Sequence, residues 1–254
     1  VLTLAEFAPA LSTWVTGTGC LVCSKTSTTE TKGDEISPSV RQGEDLAYVQ
    51  LTTGSTGTSK GAMISHRSLF HRTKTISSAF GIQDGDVCVG WWPFNQAAGL
   101  RDAVIAPVVV GYTTVNIPPQ YWARHPELLL RAIHRFRGVA SMMPNSGLSH
   151  CARNIREQDL IDVDLRSWRV LGIGGETVQP ESLRLFAERF APYGFSATVL
   201  RPYYASAECG HIAAPHAGDQ LQIDWILQTD LDSYQRATPT LPSTEGVKTV
   251  VSCG

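Results

Sequence analysis

Residues 127–143 read Glu127-Leu-Leu-Leu-Arg-Ala-Ile-His-Arg-Phe-Arg-Gly-Val-Ala-Ser-Met-Met143, and the period of the apolar side chains changes within that stretch. Leu128, Leu129, Ala132, Ile133 and Phe136 recur at the spacing of one helix face, which predicts a helix over 127–137. Past Gly138 the run 139–143 is short and apolar and stops at Pro144, which predicts a strand. The same alternation extends both ways. Strand patterns at 46–51, 87–91 and 113–117 bracket helix patterns at 65–80 and 100–110; downstream come a helix after Pro144, a strand at 168–173, a helix at 180–191 and a strand at 198–201. Strands alternating with helices predict an α/β fold, a mostly parallel sheet with helices on both faces. Residues 27–45 are polar, without apolar period, and read as an exposed connector after a short first piece; residues 217–246 read as an irregular polar insert before a strand at 247–252.

The composition narrows the function. The chain has 254 residues, is 43% hydrophobic and 17% charged, and carries a formal net charge of -2 with no basic run. Such a surface has no general attraction for phosphate backbones or anionic membranes, so neither nucleic acid nor membrane is expected as a partner. No stretch approaches the roughly 20 apolar residues of a membrane span, and the start has no leader pattern, so a cytoplasmic setting is expected. Six scattered cysteines read as reduced thiols, and Cys20-Leu-Val-Cys23 lacks the second pair of a zinc site.

In parallel sheets ligands bind beyond the carboxyl ends of the strands, which directs attention to three loops, 52–61, 172–177 and 202–208. The first, Leu51-Thr-Thr-Gly-Ser-Thr-Gly-Thr-Ser-Lys-Gly61, packs three glycines, six hydroxyl residues and one lysine between apolar strand residues. Glycines let backbone N–H groups turn towards an anion, hydroxyls add donors and the lysine adds charge, so this is a polyphosphate cradle. It lacks the Walker A spacing.

Thr52, Thr53, Gly54, Ser55, Thr56, Gly57, Thr58, Lys60 and Gly61, followed by Ser65-His66, resemble the signature loop of the adenylate-forming (AMP-binding) enzymes. The usual proline before the lysine is Ser59. Trp91-Trp-Pro-Phe94, Gly99-Leu100, Pro144-Asn145, residues 164–169, Gly174-Gly-Glu176, residues 186–195 and the polar insert together are similar to the fatty acyl-AMP ligase branch, over roughly residues 46–254.

The resemblance implies ATP and Mg²⁺ as cofactors and assigns roles. Lys60 and Glu208 become catalytic, and Glu208 also holds the metal. Gly174, Gly175 and Glu176 join Tyr204 and Ala205 around adenine. Trp92, Gln96 and Gly99 border the acid. Ala205 stands for the usual glycine, and Gln96-Ala97 for the usual His-Asp pair, which removes both a titratable imidazole and the carboxylate beside it from the acid site. From the residues alone, 172–177 also reads as a plain strand-to-helix turn, Tyr204 as a core aromatic, and Glu208 as a helix N-terminal carboxylate.

The implied reaction activates a carboxylic acid, a fatty acid by the branch, to an acyl-adenylate for transfer to a carrier-protein thiol, as in polyketide and nonribosomal peptide assembly. The alternatives are a catalytically silent nucleotide- or acyl-binding module and a coenzyme-A ligase. The motifs divide the chain into the tail of a preceding subdomain plus connector (1–45), an ATP/acyl-binding subdomain (46–216), and the insert with its strand (217–254). They imply a middle piece of a longer adenylation domain without its C-terminal small domain, inactive alone.

Overall fold

A computed structural model describes residues 40–52, 58, 60–94, 96–216 and 218–254, with the backbone of 2–4 and 23–25. The contacts form two units, Val1–Arg41 and Gln42–Gly254. In the first, β1 (Leu2–Leu4) pairs in parallel with β2 (Cys23–Lys25).

In the second, β3 (Leu46–Leu51) and β4 (Gly61–Ser65) form an antiparallel hairpin. Then follow β5 (Val87–Gly90), β6 (Thr113–Asn116), β7 (Ala140–Met143), β8 (Val170–Ile173) and β9 (Leu200–Pro202), all parallel in the order β6-β5-β7-β8-β9. The hairpin β10 (Tyr204–Ser206) and β11 (Gly210–Ala213) and the pair β12 (Ile223–Leu227) and β13 (Val247–Val251) complete it.

Period-2 alternation sends successive strand residues to opposite faces. Val89, Met143, Leu171 and Ile173 pack in one core with Leu129, Leu130 and Ile133 of the Glu127–Phe136 helix, Leu148 and Cys151 of Asn145–Asn154, and Leu183, Phe186 and Phe190 of Pro180–Phe190. Cys88, Ala140 and Val170 face the other way, onto Ile76 of the His66–Ala79 helix, Phe80, and Ala106 of Ala106–Val110. Both faces are thus covered. Phe186 meets Phe190, Phe195 and Trp168 edge-on at 4.7, 5.1 and 6.1 Å between centroids, the geometry aromatic quadrupoles favour. At the end of the 127–136 helix Arg137 turns left-handed (φ 55°), and the Gly138 N–H donates to Ile133 O at 2.8 Å. No described helix is long and apolar enough to cross a membrane.

Four expectations change. The strand at 46–51 lies outside the parallel sheet, because two strands joined by one polar loop pair antiparallel with each other. The helix at 100–110 is a π-helical turn, Gly99–Ile105, running into an α-helix; Pro107, without an N–H for the α register, sits at the join. The insert at 217–246 is not irregular: it contains β12 and the helix Gln228–Tyr234, and β12 is stabilised by pairing with the distant β13. At 198–201 a 3₁₀ turn, Ala197–Val199, precedes β9.

Candidate active site

The chain passes from β5 to β6 on one side of the sheet and returns to β7 on the other, so strand order reverses at β5. Beyond the carboxyl ends of β5, β7, β8 and β9 lie two cavities. One, of about 310 Å³, is bordered by Trp91, Trp92, Gln96, Met143, Gly174 and Tyr203. The other, of about 480 Å³, is bordered by Gly175, Glu176, Tyr204, Ala205, Lys248 and Val250, and Gly175 and Tyr203 touch both.

The glycines shape the shared wall. A Cβ on Gly174 would stand 2.6 Å from the Tyr203 ring, so only glycine lets backbone and ring meet. Gly175 holds φ 84°, where side chains are strained. The Glu176 carboxylate accepts a hydrogen bond from the Ser146 N–H at the start of the Asn145–Asn154 helix, where an anion is favoured. Asn145 ties the same layer together, accepting from the Gln179 N–H at 2.9 Å and donating to Ser182 Oγ at 3.2 Å.

Around the smaller cavity, Trp92 is buried, and its backbone N–H and C=O bond the Asn116 carboxamide at 2.8 and 3.1 Å. Trp91 stacks on Trp122 at 3.9 Å. Gln96 lies on the wall. Gly99 does not border the cavity; a Cβ there would stand 2.0 Å from the Pro93 carbonyl oxygen, so its role is packing. Phe94 is exposed.

Tyr203 is a wall residue that sequence reasoning passed over in favour of its neighbour. The available signal was alternation: of two adjacent tyrosines after a strand, one faces inward. Its ring packs on His211 at 4.6 Å and on Phe80 at 6.0 Å, while Tyr204 is exposed. Burial, reinforced by Asp102, pushes the Tyr203 phenol up to about 12, so it is neutral. Burial, reinforced by Arg101, pulls the His211 imidazole down to about 3, and both its ring nitrogens are buried without a partner among the described residues. Arg101 and Asp102 form a buried two-pronged ion pair at 2.6 and 2.7 Å.

Glu208 stands in the turn between β10 and β11, not at a helix start. Its carboxylate is exposed and in no ion pair among the described residues, while its backbone carbonyl accepts from Arg72. Among the described residues no three Asp, Glu, His or Cys side chains cluster as a metal cage. One unpaired carboxylate suits a Mg²⁺ that takes its other ligands from phosphate oxygens and water.

Of the phosphate cradle, Thr53, Gly54, Ser55, Thr56, Gly57 and Ser59 lie outside the described residues. Its base is described. The Thr52 N–H donates to Lys60 O at 2.8 Å, and the Lys60 N–H to Thr52 Oγ1 at 3.0 Å, which closes the loop with Lys60 and Thr58 exposed. Ser65 caps the following helix, accepting from the Ser68 N–H at 3.2 Å, and His66 is its exposed first residue. The structure thus gathers Gly175, Glu176, Tyr204 and Ala205 at one cavity, with Trp92, Gln96 and Gly174 at the adjoining one. Lys60 and Glu208 sit outside both, each on a hairpin.

The chain is 31% identical over 213 residues to the medium-chain-fatty-acid–[acyl-carrier-protein] ligase JamA of Moorena producens, a match covering 83% of this chain and 36% of that protein. A structure from studies of fatty acyl-adenylate ligases of E. coli and L. pneumophila superimposes with a TM-score of 0.89 at 29% identity, over 100% of this chain and 46% of that one. The L. pneumophila fatty acyl-adenylate ligase in complex with acyl adenylate and pyrophosphate gives a TM-score of 0.80 at 25% identity, over 86% of this chain and 38% of that one. The chain therefore spans about a third of its curated relatives' length. The AMP-binding enzyme model matches residues 7–245, and the chain belongs to that family.

Proposed function

We propose that the full-length protein containing this chain uses ATP to activate a fatty acid as its acyl-adenylate and passes the acyl group to a carrier-protein thiol. The observation that carries this reading is the pair of adjoining cavities: a glycine-walled one beside Tyr204, open to a flat ring, and a Trp- and Met-lined one, open to an apolar chain. The Moorena producens relative is named as a carrier-protein ligase, which supports the acceptor.

A carboxylate oxygen attacks the α-phosphorus, the bond to the bridging oxygen breaks, and pyrophosphate leaves with the electron pair. Little covalent work falls to the protein, so positioning and charge neutralisation dominate. The Lys60 ammonium and the loop N–H groups hold the β- and γ-phosphates. Glu208 would hold Mg²⁺, which would supply charge neutralisation at the phosphates. Gly174, Gly175 and Glu176 present backbone to adenine, with Tyr204 and Ala205 across from it. The Gln96 carboxamide offers an N–H to the acid. A carrier thiolate then attacks the acyl carbonyl and AMP departs.

The test is hydroxylamine trapping in the full-length protein with ATP and fatty acids of graded length. Acyl hydroxamate is expected, and Lys60→Ala should lower its rate by about 10²–10³-fold, the scale of losing one charge-stabilising donor. A second reading rests on Gln96: among the described residues the only titratable side chain bordering the apolar cavity is the neutral Tyr203, which suits a catalytically silent binding module. ATP binding with no hydroxamate would establish that module, and thioester formation on free coenzyme A would replace the carrier as acceptor.

A further inference from the structure

The helix that follows the cradle-bearing hairpin reaches the Glu208 turn through Arg72. β4 closes the cradle and runs directly into the His66–Ala79 helix. From that helix the Arg72 guanidinium donates Nη1 to Ala207 O at 3.2 Å and Nη2 to Glu208 O, across 135 and 136 residues of sequence. The stem of Arg72 lies against Gly210, where a Cβ would stand 3.0 Å from Cδ and where φ is 74°. Among the described residues the turn has one further side-chain bond, from the Cys209 N–H to Ser206 Oγ at 3.1 Å. Arg72 is not among the buried residues of its helix, which are Thr73, Ile76 and Ser77, so truncating it opens no core cavity.

We propose that Arg72 is the positioning residue for Glu208: its planar fork spans two consecutive carbonyls and fixes where the exposed carboxylate stands relative to the His66–Ala79 helix. Lysine, a point donor, can serve only one carbonyl. The proposal rests on the reading of Glu208 as the metal-holding residue.

The experiment titrates Mn²⁺, as a paramagnetic probe for Mg²⁺, into the full-length protein with the non-hydrolysable ATP analogue AMPPNP, followed by electron paramagnetic resonance. R72A should weaken Mn²⁺ binding in the ternary complex by about 10- to 100-fold, the scale for losing a partner that orients a metal ligand. R72K should fall between. KM for the acid and metal-free AMPPNP binding should stay unchanged. Unaltered Mn²⁺ binding in R72A, with loss in E208Q, overturns the proposal and leaves the reading of Glu208 standing. Unaltered binding in E208Q overturns both. Parallel loss of metal-free AMPPNP binding or of acid KM in R72A makes the arginine merely structural and overturns the proposal. If R72A does not fold, R72K with wild-type Mn²⁺ binding does so.

Discussion

Behind the parallel strands Leu171, Ile173, Leu129, Ile133 and Phe186 are wholly buried, whereas the β3–β4 hairpin leaves Leu51 69% and Met63 74% exposed. The sheet is held by close packing, which fixes the glycine wall and the Trp-lined cavity as one rigid piece. The hairpins have two strands each: β3–β4 is held by the Thr52–Lys60 bonds at the cradle base and by buried Ile64, and β10–β11 by Arg72 across its turn and by His211 packed on Phe80 and Tyr203. Two-stranded hairpins are marginal alone and depend on such contacts. The flat and apolar parts of a substrate would meet the rigid region. Its phosphates would meet the hairpins.

That contrast can be broken by experiment. The largest effect is expected from Phe186→Ala, which removes a fully buried ring shared by three aromatic neighbours and should cost about 3–5 kcal/mol in urea unfolding. A loss below about 1 kcal/mol would mean the sheet face is not closely packed.

An intermediate effect depends on pH and tests the hairpin that carries His211. Its imidazole binds a proton near 6.5 when unfolded but only near 3 in the fold. Between those values the unfolded chain holds more protons, so this part of the stability is present above pH 6.5 and is lost as pH falls towards 3. At pH 4.5 the loss is roughly 2–3 kcal/mol. His211→Phe should lose less stability than wild type between pH 7 and 4.5, and parallel acid curves would contradict this.

The smallest effect is expected from Met63→Ser on the exposed hairpin face, within about 0.5 kcal/mol of wild type. A larger drop in the full-length protein would show that this face is covered there.

The stretch 127–143 was legible because its period is set by burial, and burial there comes from neighbours close in sequence. The structure places helix and strand within a residue or two of the expected bounds. The same holds for His66–Ala79, whose cap Ser65 sits at its predicted start. β12 was not legible, because five residues with charged and polar flanks become a strand only by pairing with β13. Gly174 and Gly175 were visible as glycines, but their different reasons, a ring contact and a positive φ, were not. Gln96 and Trp92 do reach the cavity, and Gly99 does not.

The sequence by itself determined the parallel α/β sheet, the cradle loop and the family, because apolar period, turn chemistry and a run of specific residues are local properties. Only the tertiary structure decided that Tyr203 lines both cavities, that Arg101 bears on a buried neutral His211, and that Arg72 reaches Glu208. Those relations join residues from distant parts of the chain. They depend on which strand lies beside which and on which side of each strand a side chain emerges, and no periodicity in a linear sequence encodes that.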